Sequence, residues 1–206
     1  MIRRLHAIIL LTLLVPAIAG AQELPFTHYT PASETTPLPS AEVSAVYQDR
    51  EGLIWFVIFS SGLVRYDGHS SELYSTNDGL PDLNVWEVTE DAAGRLWVRS
   101  NGGLAVSEKP LGKYAPGERV HFVTNLGKHE LPHDSIGDAN RRLAVDPSGR
   151  LWIGTPNSGV IRVAADGGLD TLSTELRTGE QNDVRSLTAR RDGSVWVALG
   201  GGQILS

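Results

Sequence analysis

The chain contains no cysteine among its 206 residues, which excludes disulfides, thiolate metal ligands and a lipidated N-terminal cysteine. It also has no Asn-x-Ser/Thr glycosylation acceptor. Positive charge is in deficit, because 18 Lys and Arg residues stand against 24 Asp and Glu, for a net charge of −6. An acidic chain is poorly suited to the phosphate backbone, so we expect no nucleic-acid partner.

Long apolar runs are scarce, and the most extended one lies at the beginning of the chain. Arg3 and Arg4 precede an apolar stretch at residues 7–19, and small residues continue to Ala21. This layout predicts a signal peptide at residues 1–21, with an uncleaved membrane anchor as the alternative. In either case we expect the rest of the chain outside the cytoplasm. Because an exported chain without cysteine is unusual in a eukaryotic secretory route, a bacterial periplasm is favoured.

A sustained helical period is also missing after the signal segment, so helix content should be very low. A repeat is present instead, and it is most visible at the tryptophans. Each copy has a glycine three residues before its tryptophan, and three of four have an aspartate six residues before it. The members are Trp55, Trp97, Trp152 and Trp196, Gly52, Gly94, Gly149 and Gly193, and Asp49, Asp91 and Asp146, with Arg190 in the fourth copy. Asp-x-x-Gly between apolar runs predicts a tight turn, so each copy contains a hairpin.

Each copy has room for four short strands. In the first copy we predict strands at residues 43–48, 53–58, 63–66 and 72–75, which are rich in β-branched and aromatic residues. Units of about 40 to 45 residues with four strands are typical of β-propeller blades. The predicted fold is therefore all-β, with about four blades of four-stranded antiparallel sheet in an incomplete propeller. The predicted units of residues 22–206 are approximately 24–76, 77–124, 125–174 and 175–206.

Three segments resemble the two-component regulator propeller repeat, namely residues 43–62, 80–102 and 131–155. All three contain Asp-x-x-Gly-x-Leu/Ile-Trp, and the second and third begin with Leu-Pro, although Gly154-Thr155 is kept only in the third copy. The resemblance implies the N-terminal fragment of a periplasmic sensor region from a bacterial receptor. Such a receptor would continue with more blades, a membrane helix and a histidine kinase or diguanylate cyclase. The missing remainder would then be a partner of this chain, and we expect no enzyme activity within it.

The recurring tryptophans are expected to pack between blades, but Trp86 lies outside their frame. It falls in the predicted innermost strand of its unit, where the matching residues are Ser44, Arg141 and Arg185. Propeller ligands often bind at the mouth of the channel that innermost strands line. Trp86, Arg141 and Arg185 are therefore candidates for binding an unidentified small ligand, an oligosaccharide among the possibilities. The plainer alternative is that they are ordinary exposed side chains.

Neither catalytic nor metal-binding residues are predicted, and no cofactor is expected. His129 and His133 are four residues apart, but Pro132 stands between them and their segment repeats elsewhere without histidine. The turn aspartates of the repeat lie on separate predicted blades, so we do not expect them to form a shared catalytic site. Two alternatives remain open from the sequence: a secreted propeller enzyme of the streptogramin-lyase type, and a propeller that binds a protein partner.

Overall fold

In the computed structural model, the described residues are 38–126, 129–131, 142–156, 159–164, 168–172 and 183–206. They form three four-stranded antiparallel sheets, one three-stranded sheet and one short hairpin. Helix in this part of the chain is limited to two 3₁₀ turns, at Thr76–Asp78 and Leu111–Lys113. The all-β fold with very low helix content is confirmed.

Each large sheet is a meander in which neighbouring strands follow each other along the chain. Blade 1 contains β1 (Val43–Gln48), β2 (Ile54–Ile58), β3 (Gly62–Tyr66) and β4 (Ser71–Tyr74). Blade 2 contains β5 (Val85–Glu90), β6 (Leu96–Ser100), β7 (Gly103–Ser107) and β8 (Phe122–Val123). The hairpin of β9 (Asn125–Leu126) and β10 (His129–Glu130) follows it. The four strands of blade 1 lie within one residue of their predicted bounds.

The second half repeats the same order. Blade 3 contains β11 (Leu143–Val145), β12 (Leu151–Gly154), β13 (Val160–Val163) and β14 (Leu169–Leu172). Blade 4 contains β15 (Val184–Ala189), β16 (Val195–Leu199) and β17 (Ile204–Leu205). None of the helices among the described residues is long and apolar enough to cross a membrane.

In blades 1 to 3, the turn aspartate of the repeat binds both its own turn and the tryptophan that follows. In blade 1, the Leu53 amide donates to Asp49 Oδ1 at 2.8 Å and the Trp55 indole donates to Asp49 Oδ2 at 2.7 Å. The equivalent indole bonds of blades 2 and 3 measure 2.9 and 3.0 Å. In blade 4, Arg190 replaces the aspartate, and its guanidinium lies 5.8 Å from the centre of the Trp196 ring.

The core lies between blades. We call the side of a blade that carries the repeat tryptophan its back face and the opposite side its front face. The tryptophan on each back face shares an apolar cluster with an inner-strand aliphatic residue on the next front face. The three pairs are Trp55 with Val88, Trp97 with Leu143, and Trp152 with Leu187. Consecutive blades therefore stack back to front.

The stack is an open arc. Val88, Leu143 and Leu187 are 7%, 3% and 2% exposed, whereas Val46, the equivalent residue of blade 1, is 61% exposed. Trp196 on the back face of blade 4 is 41% exposed. Four blades do not close on themselves, and the predicted incomplete propeller is confirmed. Residues 26–30, which the repeat pattern predicts as an outer strand that closes a ring, lie outside the described residues.

Candidate ligand-binding site

The innermost strands of blades 1, 2 and 4 each have a β-bulge at the equivalent position, close to the N-terminal end of the strand. Pairing of β1 with β2 shifts between Val43 and Ala45, and the equivalent shifts occur in blades 2 and 4. The residues at the bulges are Ser44, Trp86 and Arg185. A bulge leaves one residue outside the ladder and changes the direction of its side chain, and bulges are frequent beside binding sites. We call this end of the inner strands the channel mouth.

Trp86 is half-buried at the mouth, against the turns of two blades. Its indole N–H donates to Asn101 Oδ1 at 2.7 Å, in the turn between β6 and β7. The ring of Phe59, in the turn between β2 and β3, meets it edge-on with a centroid distance of 5.9 Å. Phe59 is 38% exposed and Trp86 is partly exposed, while a hydrogen bond fixes the orientation of the indole.

Arg185 occupies the equivalent place in blade 4. Its Nη2 lies 2.6 Å from Asp183 Oδ2, and more than half of the Arg185 side chain is exposed. Asp183 is largely buried and also lies 3.9 Å from Arg142 Nη2. One carboxylate thus connects an exposed guanidinium of blade 4 with a buried one of blade 3.

A second carboxylate connects blades 2 and 3 at the same end. Glu87 Oε2 accepts from the backbone amides of Arg142 at 3.0 Å and Leu143 at 3.2 Å. It also lies 3.4 Å from Nε of Arg99, a side chain that is buried. Charges therefore alternate across the mouth in the order Arg99, Glu87, Arg142, Asp183 and Arg185. Buried charges of this kind are paired because an isolated one would be costly.

The inner strands line a channel cavity of about 320 Å³ below the mouth. It is bordered by residues 45–47, 87–89, 143–145 and 187–189, so every inner strand contributes. Most of its lining is aliphatic or hydroxylic, with the Glu87 carboxylate at the upper edge. A larger cavity of about 510 Å³ lies at the outer side of blades 1 and 2, beside Arg65, Glu72 and Tyr114.

Two of the three predicted ligand-binding residues, Trp86 and Arg185, lie at equivalent mouth positions. Arg141, the third, lies outside the described residues, as do His133 and Pro132. In the described part of the chain, no group of three or more His, Asp or Glu residues is arranged to hold a metal ion.

The sequence interpretation missed Arg99, Glu87 and Asp183. A signal existed for Arg99, because the register aligns it with Val57, Gly154 and Ala198, which are small or apolar. At Gly154, an added Cβ would lie 2.4 Å from Val184 Cγ1, so the position faces the next blade closely. An arginine at this buried position needs a carboxylate partner, because an unpaired buried charge is costly. Glu87, which pairs with Arg99 on the adjacent strand, was available.

The fold and the mouth define an incomplete β-propeller with a polar and aromatic opening. The sequence model described as two component regulator propeller matches residues 133–157. This chain therefore carries a two component regulator propeller repeat, as its sequence resemblance indicated. No match was found among curated protein sequences.

Solved structures with the same fold include two extracellular domains of hybrid two component systems from B. thetaiotaomicron. The domain of BT4673 is 21% identical, with a TM-score of 0.56 over 85% of this chain and 24% of its own. The domain of BT3049 is 18% identical, with a TM-score of 0.57 over 84% of this chain and 22% of its own. The chain thus spans about a quarter of each of these domains.

A lyase shares the fold as well. Virginiamycin B lyase from Staphylococcus aureus is 16% identical, with a TM-score of 0.54 over 82% of this chain and 57% of the enzyme. At these identities the similarity concerns the blade architecture alone.

Proposed function

We propose that this chain is part of the ligand-sensing propeller region of a bacterial signal-transduction receptor, located outside the cytoplasm. The observation that carries the proposal is the repeated bulge, which directs Trp86 and Arg185 to one channel mouth. The two component regulator propeller repeat and the likeness to extracellular domains of hybrid two component systems support the same role. The chain itself binds, and an output domain elsewhere in the receptor responds.

The chemistry of the mouth suits a small polar ligand. The indole and phenyl surfaces of Trp86 and Phe59 offer apolar area for a ring face, while the Arg185 guanidinium can bind an oxygen-rich group. An oligosaccharide with a carboxylate combines both features, and neutral oligosaccharides use the aromatic part alone. We therefore propose oligosaccharides as the first class of ligand to test.

The test is a thermal-shift and calorimetric screen of the chain with neutral and acidic oligosaccharides. A ligand that binds only the folded state raises the midpoint of unfolding, and the increase grows with the logarithm of ligand concentration above Kd. Trp86→Ala should remove that shift without changing the unfolding midpoint of the free chain by more than a few degrees. His69→Ala, in the exposed turn between β3 and β4, is the matched control and should bind as the wild type does. An unchanged shift with Trp86→Ala would remove Trp86 from the site.

Location is tested separately. The chain expressed in a bacterium with its own N-terminus should appear in the periplasmic fraction, with a mature N-terminus at residue 22 if the signal is cleaved. Retention in the cytoplasm would contradict the proposed location. Retention in the membrane fraction with residues 1–21 attached would favour the uncleaved anchor.

The sequence leaves one competing function open, that of a secreted propeller enzyme of the streptogramin-lyase type. Incubation of the chain with a streptogramin antibiotic, followed by mass spectrometry of the ring-opened product, decides it. Turnover that survives Trp86→Ala and follows the chain through purification would replace the sensing proposal.

A further inference from the structure

The turn between β2 and β3, which carries Phe59 to the channel mouth, is strained. Ser60 has a φ of +56°, and it is the only residue other than glycine with a positive φ in the described part of the chain. The equivalent turn of blade 4 uses Gly201 and Gly202 at φ +91° and +85°, which glycine adopts freely. A serine in this conformation is costly and persists only where neighbouring contacts hold it, often at a functional site.

The contacts that hold the Ser60 turn come from the loop that enters blade 2. Ser60 Oγ donates to Asn84 Oδ1 at 2.8 Å, and the Gly62 amide donates to the Leu83 carbonyl at 3.0 Å. Asn84 is fixed by Asp82, whose Oδ1 accepts from the Asn84 amide at 2.6 Å and from Asn84 Nδ2 at 3.0 Å. The orientation of the Asn84 side chain is thereby set, with its oxygen bound to Ser60.

Asn84 also supports Trp86, through the turn between β6 and β7. The Asn84 carbonyl accepts from the Asn101 amide at 3.0 Å, and Asn101 Oδ1 accepts from the Trp86 indole at 2.7 Å. This turn lies tightly on the entry loop, since an added Cβ at Gly102 would lie 2.7 Å from the Pro81 carbonyl oxygen. One residue therefore holds both turns that support the two aromatic rings of the mouth.

The backbone part of this arrangement recurs in other blades, but the side chain at its centre changes. The residue before the inner strand accepts from the turn amide in blades 1 and 4 as well, where Phe59 donates to the Glu42 carbonyl at 3.0 Å and Gly200 donates to the Asp183 carbonyl at 2.7 Å. The Glu42 residue is exposed, whereas the Asp183 carboxylate pairs with Arg185. The side chain at this position therefore makes the mouth ionic at blade 4 and amide-based between blades 1 and 2.

We propose that Asn84 is the positioning residue for the aromatic part of the mouth. Its carbonyl and side chain hold the turns of Asn101 and Phe59, and so fix the angle of 64° between the Phe59 and Trp86 rings. A ligand then meets a preformed surface, and less free energy is lost in ordering side chains on binding. The inference rests on the proposed function, in which Trp86 and Phe59 contact the ligand.

The indole N–H signal of Trp86 in the ¹⁵N-labelled chain tests the positioning without a ligand, and Trp86→Phe identifies that signal. Phe59→Ala removes the neighbouring ring and defines the shift that loss of the ring causes. Asn84→Ala and Ser60→Ala should each move the signal in the same direction, and the double variant should move it no further, because one hydrogen bond joins the two side chains. A Trp86 signal that keeps its wild-type position in Asn84→Ala would overturn the proposal.

Ser60→Gly separates positioning from stability. Glycine relieves the strain at φ +56°, so the unfolding midpoint should stay unchanged or rise, while the turn becomes free to move and the Trp86 signal shifts. Ser61→Gly is the matched control in the same turn. The Ser61 amide donates to the Ile58 carbonyl at 3.1 Å, a bond that glycine keeps, so the control should leave the Trp86 signal in place. A Trp86 signal that shifts equally in both variants would contradict a specific role of the Ser60 and Asn84 bond.

Calorimetric titration with maltohexaose and cellohexaose, two neutral oligosaccharides, supplies the binding readout. For a probe that the wild type binds, Asn84→Ala and Ser60→Gly should raise Kd by ~10-fold or more, as loss of preorganisation does, and Ser61→Gly should leave Kd unchanged. A merely structural role would instead make affinity and stability fall together in Ser60→Gly.

The outcomes distinguish this inference from the proposed function. Unchanged affinity of Asn84→Ala for a probe that Trp86→Ala no longer binds would overturn the positioning role and leave the sensing proposal standing. A wild-type chain that binds neither probe, with the Trp86 signal shifted as expected in Asn84→Ala, would count against an oligosaccharide ligand and support the role of Asn84 in holding the rings.

Discussion

Asp91 shows how much of a blade depends on one carboxylate. It is buried, and its two oxygens accept from the Arg95 amide at 3.0 Å, from Arg95 Nε at 2.8 Å and from the Trp97 indole at 2.9 Å. Removal of an acceptor from a buried donor costs more than the net value of the bond, because the donor loses water without replacement.

We expect Asp91→Ala to lower the free energy of unfolding by about 1 to 3 kcal/mol, since the buried Trp97 N–H would have no acceptor. Asp192→Ala is the control, because that turn aspartate is exposed and both its hydrogen bonds with Ser194 and its ion pair with Arg190 lie at the surface. The control should change stability by no more than about 0.5 kcal/mol. Urea unfolding measures both, and equal losses would contradict the role of the buried indole bond.

Glu90 gives the junction of blades 1 and 2 a dependence on pH. Burial raises the pKa of Glu90 above its ordinary value of 4.5, although the hydrogen bond from the Arg50 amide acts against the shift. A raised acid pKa means that the folded state holds the proton more tightly than the unfolded state. The folded state therefore loses stability from this group as pH rises from about 4.5 through the folded pKa.

Glu90→Gln removes the charge and keeps an oxygen that can accept from Arg50. We expect the variant to match the wild type near pH 4 and to be more stable than it at pH 7. Chemical unfolding at a series of pH values measures the difference between the two chains. A wild-type advantage that grows with pH would show the opposite sign and contradict the shift.

At the scale of elements, the sequence predicted the strands well because their signals are local. Period-two patterns, Asp-x-x-Gly turns and tryptophan spacing each lie within one hairpin. The bulges at Ser44, Trp86 and Arg185 were not predicted as bulges, since a one-residue shift depends on pairing with a neighbouring strand. The same limit explains the candidate site. The repeat pattern predicted the inner-strand positions of Trp86 and Arg185. The contacts of Glu87 and Asp183 with Arg142 were not predicted, because they form only across blade junctions.

Two glycines with positive φ allow the cost of backbone strain to be measured apart from the cost of a clash between elements. Gly79 ends the first 3₁₀ turn with φ +94°, and an added Cβ would lie 1.9 Å from the Phe122 carbonyl oxygen of blade 2. Gly52, in the first hairpin turn, has φ +87° with no atom within 4 Å of an added Cβ. The two positions share the dihedral cost and differ in the clash.

We expect Gly52→Ala to cost about 1 to 2 kcal/mol, the usual price of a left-handed alanine. Gly79→Ala should cost roughly 1 to 3 kcal/mol more, because β8 must move away from the turn. Urea unfolding of the two variants provides the comparison. Equal losses would mean that the contact between the turn and β8 yields without strain.

At the scale of the whole molecule, the arc is a chain of nearest-neighbour junctions, and each interior blade depends on two of them. Such an array gains stability from each interface and loses it at uncovered ends. The described clusters contain residues from neighbouring blades and none joins blade 1 with blade 4. The sequence predicted the repeats that build this array, but which aliphatic residue each tryptophan contacts depends on how two blades stack.

The position of a tryptophan in the array should set the effect of its removal. Trp97 is buried at the junction of blades 2 and 3, so Trp97→Ala should cost about 3 to 5 kcal/mol, as for other large core side chains. Trp196 is 41% exposed, so Trp196→Ala should cost clearly less than Trp97→Ala. Urea unfolding of the two variants measures the difference. Equal losses would mean that burial at the blade junction does not set the cost of removing a repeat tryptophan.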